Sequence, residues 1–279
     1  MGSRFGLRYL ASGRLLVALL LAVVLASSTM GYAAGKQGVM VFAASSLTEA
    51  FGEIEREFEK LHPEVDLQTS FNGSSMLRVQ IEQGATPEVF ASADLANIAP
   101  LQSSGYIVGR IEPIANNSLV IIVPAANPAK VNSIADLAHP GLILVACSAE
   151  VPIGNYTLQA LDLAQRSGKF GPDFKQRVMA NFRSLEPNVK GIVTKVMLGD
   201  AEAGICYASD VTPQLAEQVK VIAIPKEYNV RATCYAAVVK GCRRPGMGWK
   251  LVDFIRSPKG QGILKRHGLM PIRAAAPEK

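Results

Sequence analysis

The sequence is short of the residues that carry covalent and metal chemistry. Its 279 residues include three histidines, one tryptophan and four cysteines. His62, His139 and His267 are scattered, and no GxSxG elbow occurs. Cys147, Cys206, Cys234 and Cys242 contain no CxxC spacing. A zinc site or a Ser/Cys–His catalyst is therefore poorly supported. The chain is not expected to be an enzyme, to bind a cofactor or to ligate a metal directly. Charged residues make up only 19% and form no long basic run, which argues against a nucleic-acid partner. Internal repeats and low-complexity tracts are missing too. The longest apolar run, Leu15–Ala26 (LLVALLLAVVLA), has 12 residues. A bilayer-spanning helix needs about 20.

That run has a different meaning. Arg4, Arg8 and Arg14 precede it, and Gly31-Tyr32-Ala33-Ala34 follows it. A basic start, an apolar middle and a small-residue end describe a secretory signal peptide. The alternative is an uncleaved N-terminal anchor. No cysteine follows the run directly, which argues against a lipid anchor. Cleavage after Ala33 removes 33 of the 279 residues and leaves 246. It also removes three arginines and no acids, so the formal net charge falls from +6 to +3. The expected compartment is the periplasm. Disulfides are permitted there, with three full pairings open to four cysteines.

The mature chain alternates. Gly38–Ala44 is an apolar run of strand length. Ser46 and Glu49 then fit a capping box. The next segment places Leu47, Phe51, Ile54, Phe58 and Leu61 at helical spacing, up to His62-Pro63. Val65–Phe71 reads as a strand, MLRVQIEQG as a helix ending at Gly84, and Val89–Ala91 as a strand. Leu119–Val123 and Leu142–Ala146 suit buried parallel strands. Helices are expected over Asn155–Gln165 and Val189–Leu198. Strands are expected at Gly204–Tyr207, Val219–Ile224 and Cys234–Val239. The end, Met247–His267, is helical with a break at Ser257-Pro258. Such alternation predicts an α/β fold with mostly parallel sheets. The late return strand favours two lobes over one sheet: residues 36–117 with 237–275, and residues 118–236.

Four turns run from a strand into a helix: Ser45-Ser46, Asn72-Gly73-Ser74-Ser75, Val151-Pro152-Ile153-Gly154-Asn155 and Pro187-Asn188-Val189-Lys190. A helix N-terminus offers unpaired N–H groups and about half a positive charge, a ready-made anion site. In parallel α/β sheets such turns lie at the carboxyl ends of the strands, where ligands bind. Singly, each is more simply a helix cap. As a set they can line a cleft with neutral donors.

These residues carry a resemblance. VFAASSLTEAF and FNGSSMLRVQIEQGATPEVFASAD resemble the opening signatures of the molybdate-binding proteins of bacterial ABC transporters. NSLVIIV, EVPIGNYTLQAL, PNVKGIVTKVMLGDAEAGICYASD and SPKGQGILKRHGLMPI are similar to later segments, in the same order. The likeness runs from about Gly38 to Ile272. It implies a type II periplasmic binding fold, two α/β lobes with the ligand cleft between them. It also implies a monomer that captures molybdate or tungstate and delivers it to a membrane permease. Carried over by position, the ligand donors are the hydroxyls of Ser46 and Ser74, the backbone N–H groups of Ile153 and Val189, and the phenol of Tyr207. The family usually has a small residue at the Ile153 position, so Ile153 crowds the cleft. Ser45 and Ser75 flank the chosen serines. Tyr207 has an alternative reading as a core aromatic at a strand end. The competing functions are a receptor for another oxyanion such as sulfate or phosphate, a serine enzyme without its base, and the sensing half of a transcription regulator.

Overall fold

The computed structural model describes residues 36–272, so the expected leader, residues 1–33, lies outside the described residues. Among the described residues, ten strands form two five-stranded sheets. The first contains β1 (Gln37–Ala44), β2 (Val65–Asn72), β3 (Val89–Ser92), β4 (Ile107–Asn117) and, from much later in the chain, β10 (Ala232–Val239). Their order is β2-β1-β3-β10-β4. The second contains β5 (Leu119–Pro124), β6 (Leu144–Cys147), β7 (Phe182–Glu186), β8 (Ala203–Tyr207) and β9 (Val219–Ala223), in the order β7-β6-β8-β5-β9. The chain leaves the first sheet at Asn117 and re-enters where Ala232 pairs with Asn117. The return thus begins a few residues before the boundary near Ala236 suggested by the sequence.

Both sheets are mixed. β1 runs parallel to β3, and β6 runs parallel to β7 and β8. β5 and β10, the strands that begin each passage between the sheets, pair antiparallel with their neighbours. β3, β6 and β8 are buried along their whole length, as continuous apolar runs should be when helices cover both faces.

Helix α1 (Thr48–Leu61) buries Ala50, Phe51, Ile54 and Phe58. Leu61, read from the sequence as part of that stripe, is exposed because the helix ends there. Helices α2 (Ser74–Glu82) and α3 (Ala99–Ser103) complete the first half of this lobe. α4 (Pro152–Arg166), α5 (Phe174–Ala180) and α6 (Val189–Leu198) belong with the second sheet. α7 (Pro245–Arg256) and α8 (Pro258–Arg266) return to the first, where Glu53 of α1 pairs with Arg266 and His267.

Side-chain amides secure the crossings. Asn117 donates to the Ser209 hydroxyl at 2.7 Å, and the Asn229 carboxamide bonds both the N–H and the carbonyl of Leu119. All four cysteines are free thiols. Burial pushes Cys147 and Cys234 up to about 12, so neither is a reactive thiolate at neutral pH.

Candidate functional site

Five of these strand ends converge. After β1, Ser45–Leu47 forms a single 3-10 turn before α1 begins. The capping box expected from Ser46 and Glu49 does not form. The N-cap position of α1 is Leu47, without a side-chain cap, and Thr48 Oγ1 donates to the Ser45 carbonyl at 2.7 Å instead. The tight turn satisfies the backbone locally. Ser46 is left to face a cavity, and Glu49 is drawn to Lys190.

At the end of β2, Gly73 is the N-cap of α2 and Ser74 is its first residue. The Ala93 N–H donates to Ser74 Oγ at 3.0 Å. With that lone pair occupied, the hydroxyl proton is directed to an acceptor elsewhere. After β6, Pro152 opens α4 and Ile153 follows it; no side chain caps this end. Gly154 permits the tight entry, since a Cβ there would stand 2.0 Å from the Ser148 carbonyl oxygen. After β7, the Asn188 carboxamide accepts from the N–H groups of Lys190 at 3.0 Å and Gly191 at 3.4 Å. The N–H of Val189, the first helical residue, is left for the cavity. Tyr207 ends β8 at 2% exposure. Its phenolic oxygen is buried with no hydrogen-bond partner among the described residues. Burial holds its pKa well above the ordinary tyrosine value, so the group is a neutral donor at physiological pH. The ring of Tyr156 meets it edge-on at 6.4 Å.

Ser46, Ser74, Ile153, Val189 and Tyr207 all line one cavity of about 200 Å³. Two come from the first lobe and three from the second. Ser45 lines it as well, whereas Ser75 does not. Asn72 and Asn188 are further lining residues that sequence reasoning noted only as turn formers. They approach each other across the lobes at 3.5 Å. No charged side chain is among the described residues lining this cavity. The three histidines lie elsewhere: His62 beside Glu64, His139 beside Asp136 and His267 on Glu53. The arrangement suits a small, polyvalent acceptor held by neutral donors and helix N-termini.

The bacterial extracellular solute-binding protein family matches residues 39–270. The chain belongs to that family. It is a family of binding proteins, not of enzymes, and its members work outside the cytoplasm. Over 243 residues this solute-binding protein is 35% identical to the molybdate-binding protein ModA of Mycobacterium tuberculosis, covering 87% of this chain and 88% of that one. The resemblance read from the sequence is borne out by that relative. Among solved structures, the periplasmic molybdate-binding protein of Azotobacter vinelandii superposes with a TM-score of 0.72 at 19% identity, over 84% of this chain and 100% of that chain. The sulfate-binding protein SubI of Mycobacterium tuberculosis superposes with a TM-score of 0.77 at 16% identity, over 85% and 88%. These two likenesses carry the two-lobed fold. They do not choose between oxyanions, because the same scaffold serves both.

Proposed function

We propose that the protein is a periplasmic receptor, exported by a cleaved leader, that captures molybdate and also tungstate. It closes its lobes on the oxyanion as a monomer and presents it to the permease of an ABC transporter. The observation that carries this reading is the convergence of five neutral donors, from two lobes, on one small cavity without a charged side chain in its lining. Burying a dianion is costly unless many donors reach it at once. Two serine hydroxyls, two helix N-termini and an unpaired phenol meet that need. Neutral donors also avoid holding the empty cleft shut. Selection against sulfate follows from size: a larger tetrahedral anion touches opposite walls that a smaller one cannot bridge.

The test is calorimetric titration of Ser74→Ala beside the wild type. Loss of one hydrogen bond to a charged ligand is worth about 1.5–3 kcal/mol, so the molybdate Kd should weaken about ten- to 150-fold. The variant stays folded, with about 1 kcal/mol lost because the Ala93 N–H loses its acceptor. An unchanged Kd removes Ser74 from the site.

A further inference from the structure

Beside the cavity, one residue beyond Val189 and three beyond Ser46, charge joins the two lobes. Lys190 Nζ on α6 lies 2.9 Å and 3.0 Å from the two carboxylate oxygens of Glu49 on α1. It also lies 3.5 Å from Asp210 Oδ1. The other Asp210 oxygen accepts the backbone N–H of Tyr207 at 3.1 Å. None of the three charged residues lines the cavity. Glu49 borders a wide solvent groove, whereas the Asp210 side chain is 0% exposed. Burial opposes the charge on Lys190, but Asp210 and Glu49 outweigh it and hold its pKa above the ordinary lysine value.

An ion pair within one lobe survives opening of the cleft. The Glu49–Lys190 pair does not, because its partners sit on helices of different lobes. Its two-point geometry and partial burial also separate it from an exposed pair, which is worth little. Lys190 has a second effect. A bare Glu49 so close to Ser46 would repel an incoming dianion, and the lysine cancels it.

We propose that Glu49, Lys190 and Asp210 form an interlobe clasp that stabilises the closed form, so that these positioning residues set how long the ligand is held without touching it. The clasp rests on the oxyanion reading of the cavity, and two readouts keep the two claims apart. The first is the distance between spin labels placed on the two lobes of the ligand-free protein. Glu49→Gln should lower the closed population severalfold. The second is molybdate release by stopped flow. Glu49→Gln should release on the order of tenfold faster, the equivalent of one charged hydrogen bond. Lys190→Met should release faster still, because it leaves two acids uncompensated, and Lys190→Arg should restore release close to the wild-type rate. A Glu49→Gln protein with the wild-type closed population, or with the wild-type release rate, overturns the clasp. If the wild type takes up no molybdate, the oxyanion reading falls, and the distance measurement alone decides the clasp.

Discussion

Tyr207→Phe should move stability and affinity in opposite directions. The substitution removes one oxygen and keeps the ring, including its edge contact with Tyr156. The lost oxygen is buried and has no hydrogen-bond partner among the described residues. A buried unpaired polar group costs about 1–3 kcal/mol, and water entering an open cleft recovers part of that. The ligand-free variant should therefore be as stable as the wild type or more so, by up to about 3 kcal/mol. For a domain of this size, each kcal/mol moves Tm by about 2–4 °C, so the rise is at most roughly 12 °C. On the proposed reading of the site the same oxygen donates to the bound dianion, worth about 1.5–3 kcal/mol. The molybdate Kd should accordingly weaken about ten- to 150-fold. Thermal unfolding without ligand and calorimetry with it measure both quantities on one sample. A lowered Tm with an unchanged Kd would refute the reasoning and return Tyr207 to the role of a core aromatic.

Gly73→Ala isolates closure from folding. A Cβ at Gly73 would stand 2.4 Å from the Pro187 carbonyl oxygen, and its other near atoms, Asn188 Cβ and Pro187 C, also belong to the opposite lobe. Its φ of −61° suits any residue. Ligand-free stability should hold while overpacking of the closed form costs about 1–3 kcal/mol, a Kd about five- to 150-fold weaker; wild-type affinity by calorimetry would contradict it. Asp210 should make stability pH-dependent. Burial raises its pKa from 3.8 to about 6, against the pull of Lys190. The folded state then holds a proton that the unfolded state has lost, so this contribution falls as pH rises from about 4 to 6 and is flat above. Denaturant unfolding should show the wild type losing stability relative to Asp210→Asn as pH rises across that range, and a wild type that gains on the variant would contradict the assignment.

Elements that bury a continuous apolar run were legible in the sequence. The strand around Val39–Ala44, the α1 stripe of Phe51, Ile54 and Phe58, and the break at Ser257-Pro258 all stand where periodicity and proline placed them. β4 escaped notice because Gly109, Arg110, Glu112 and Pro113 interrupt its pattern. It tolerates them as an edge strand whose pairing with β10 shifts register between Cys234 and Tyr235. β7 is likewise a half-exposed edge of five residues. The four turns were visible as strand-to-helix junctions, yet the local role assigned to Ser46 was mistaken. A serine three residues before a glutamate satisfies the capping pattern whether or not a 3-10 turn intervenes. The contacts of Lys190 with Glu49 and of Asn188 with Asn72 join residues more than a hundred positions apart, so no local pattern reveals them.

The central claim is that this cavity is built for a large tetrahedral oxyanion. A thermal-shift series of the purified protein with molybdate, tungstate, sulfate and phosphate tests it most directly. A ligand at about a thousand times its Kd stabilises the folded state by about 4 kcal/mol, which for this size raises Tm by roughly 8–16 °C. Molybdate and tungstate should reach that rise at concentrations where sulfate and phosphate leave Tm unmoved. A rise with sulfate or phosphate alone, or no rise with any of the four, would contradict the account.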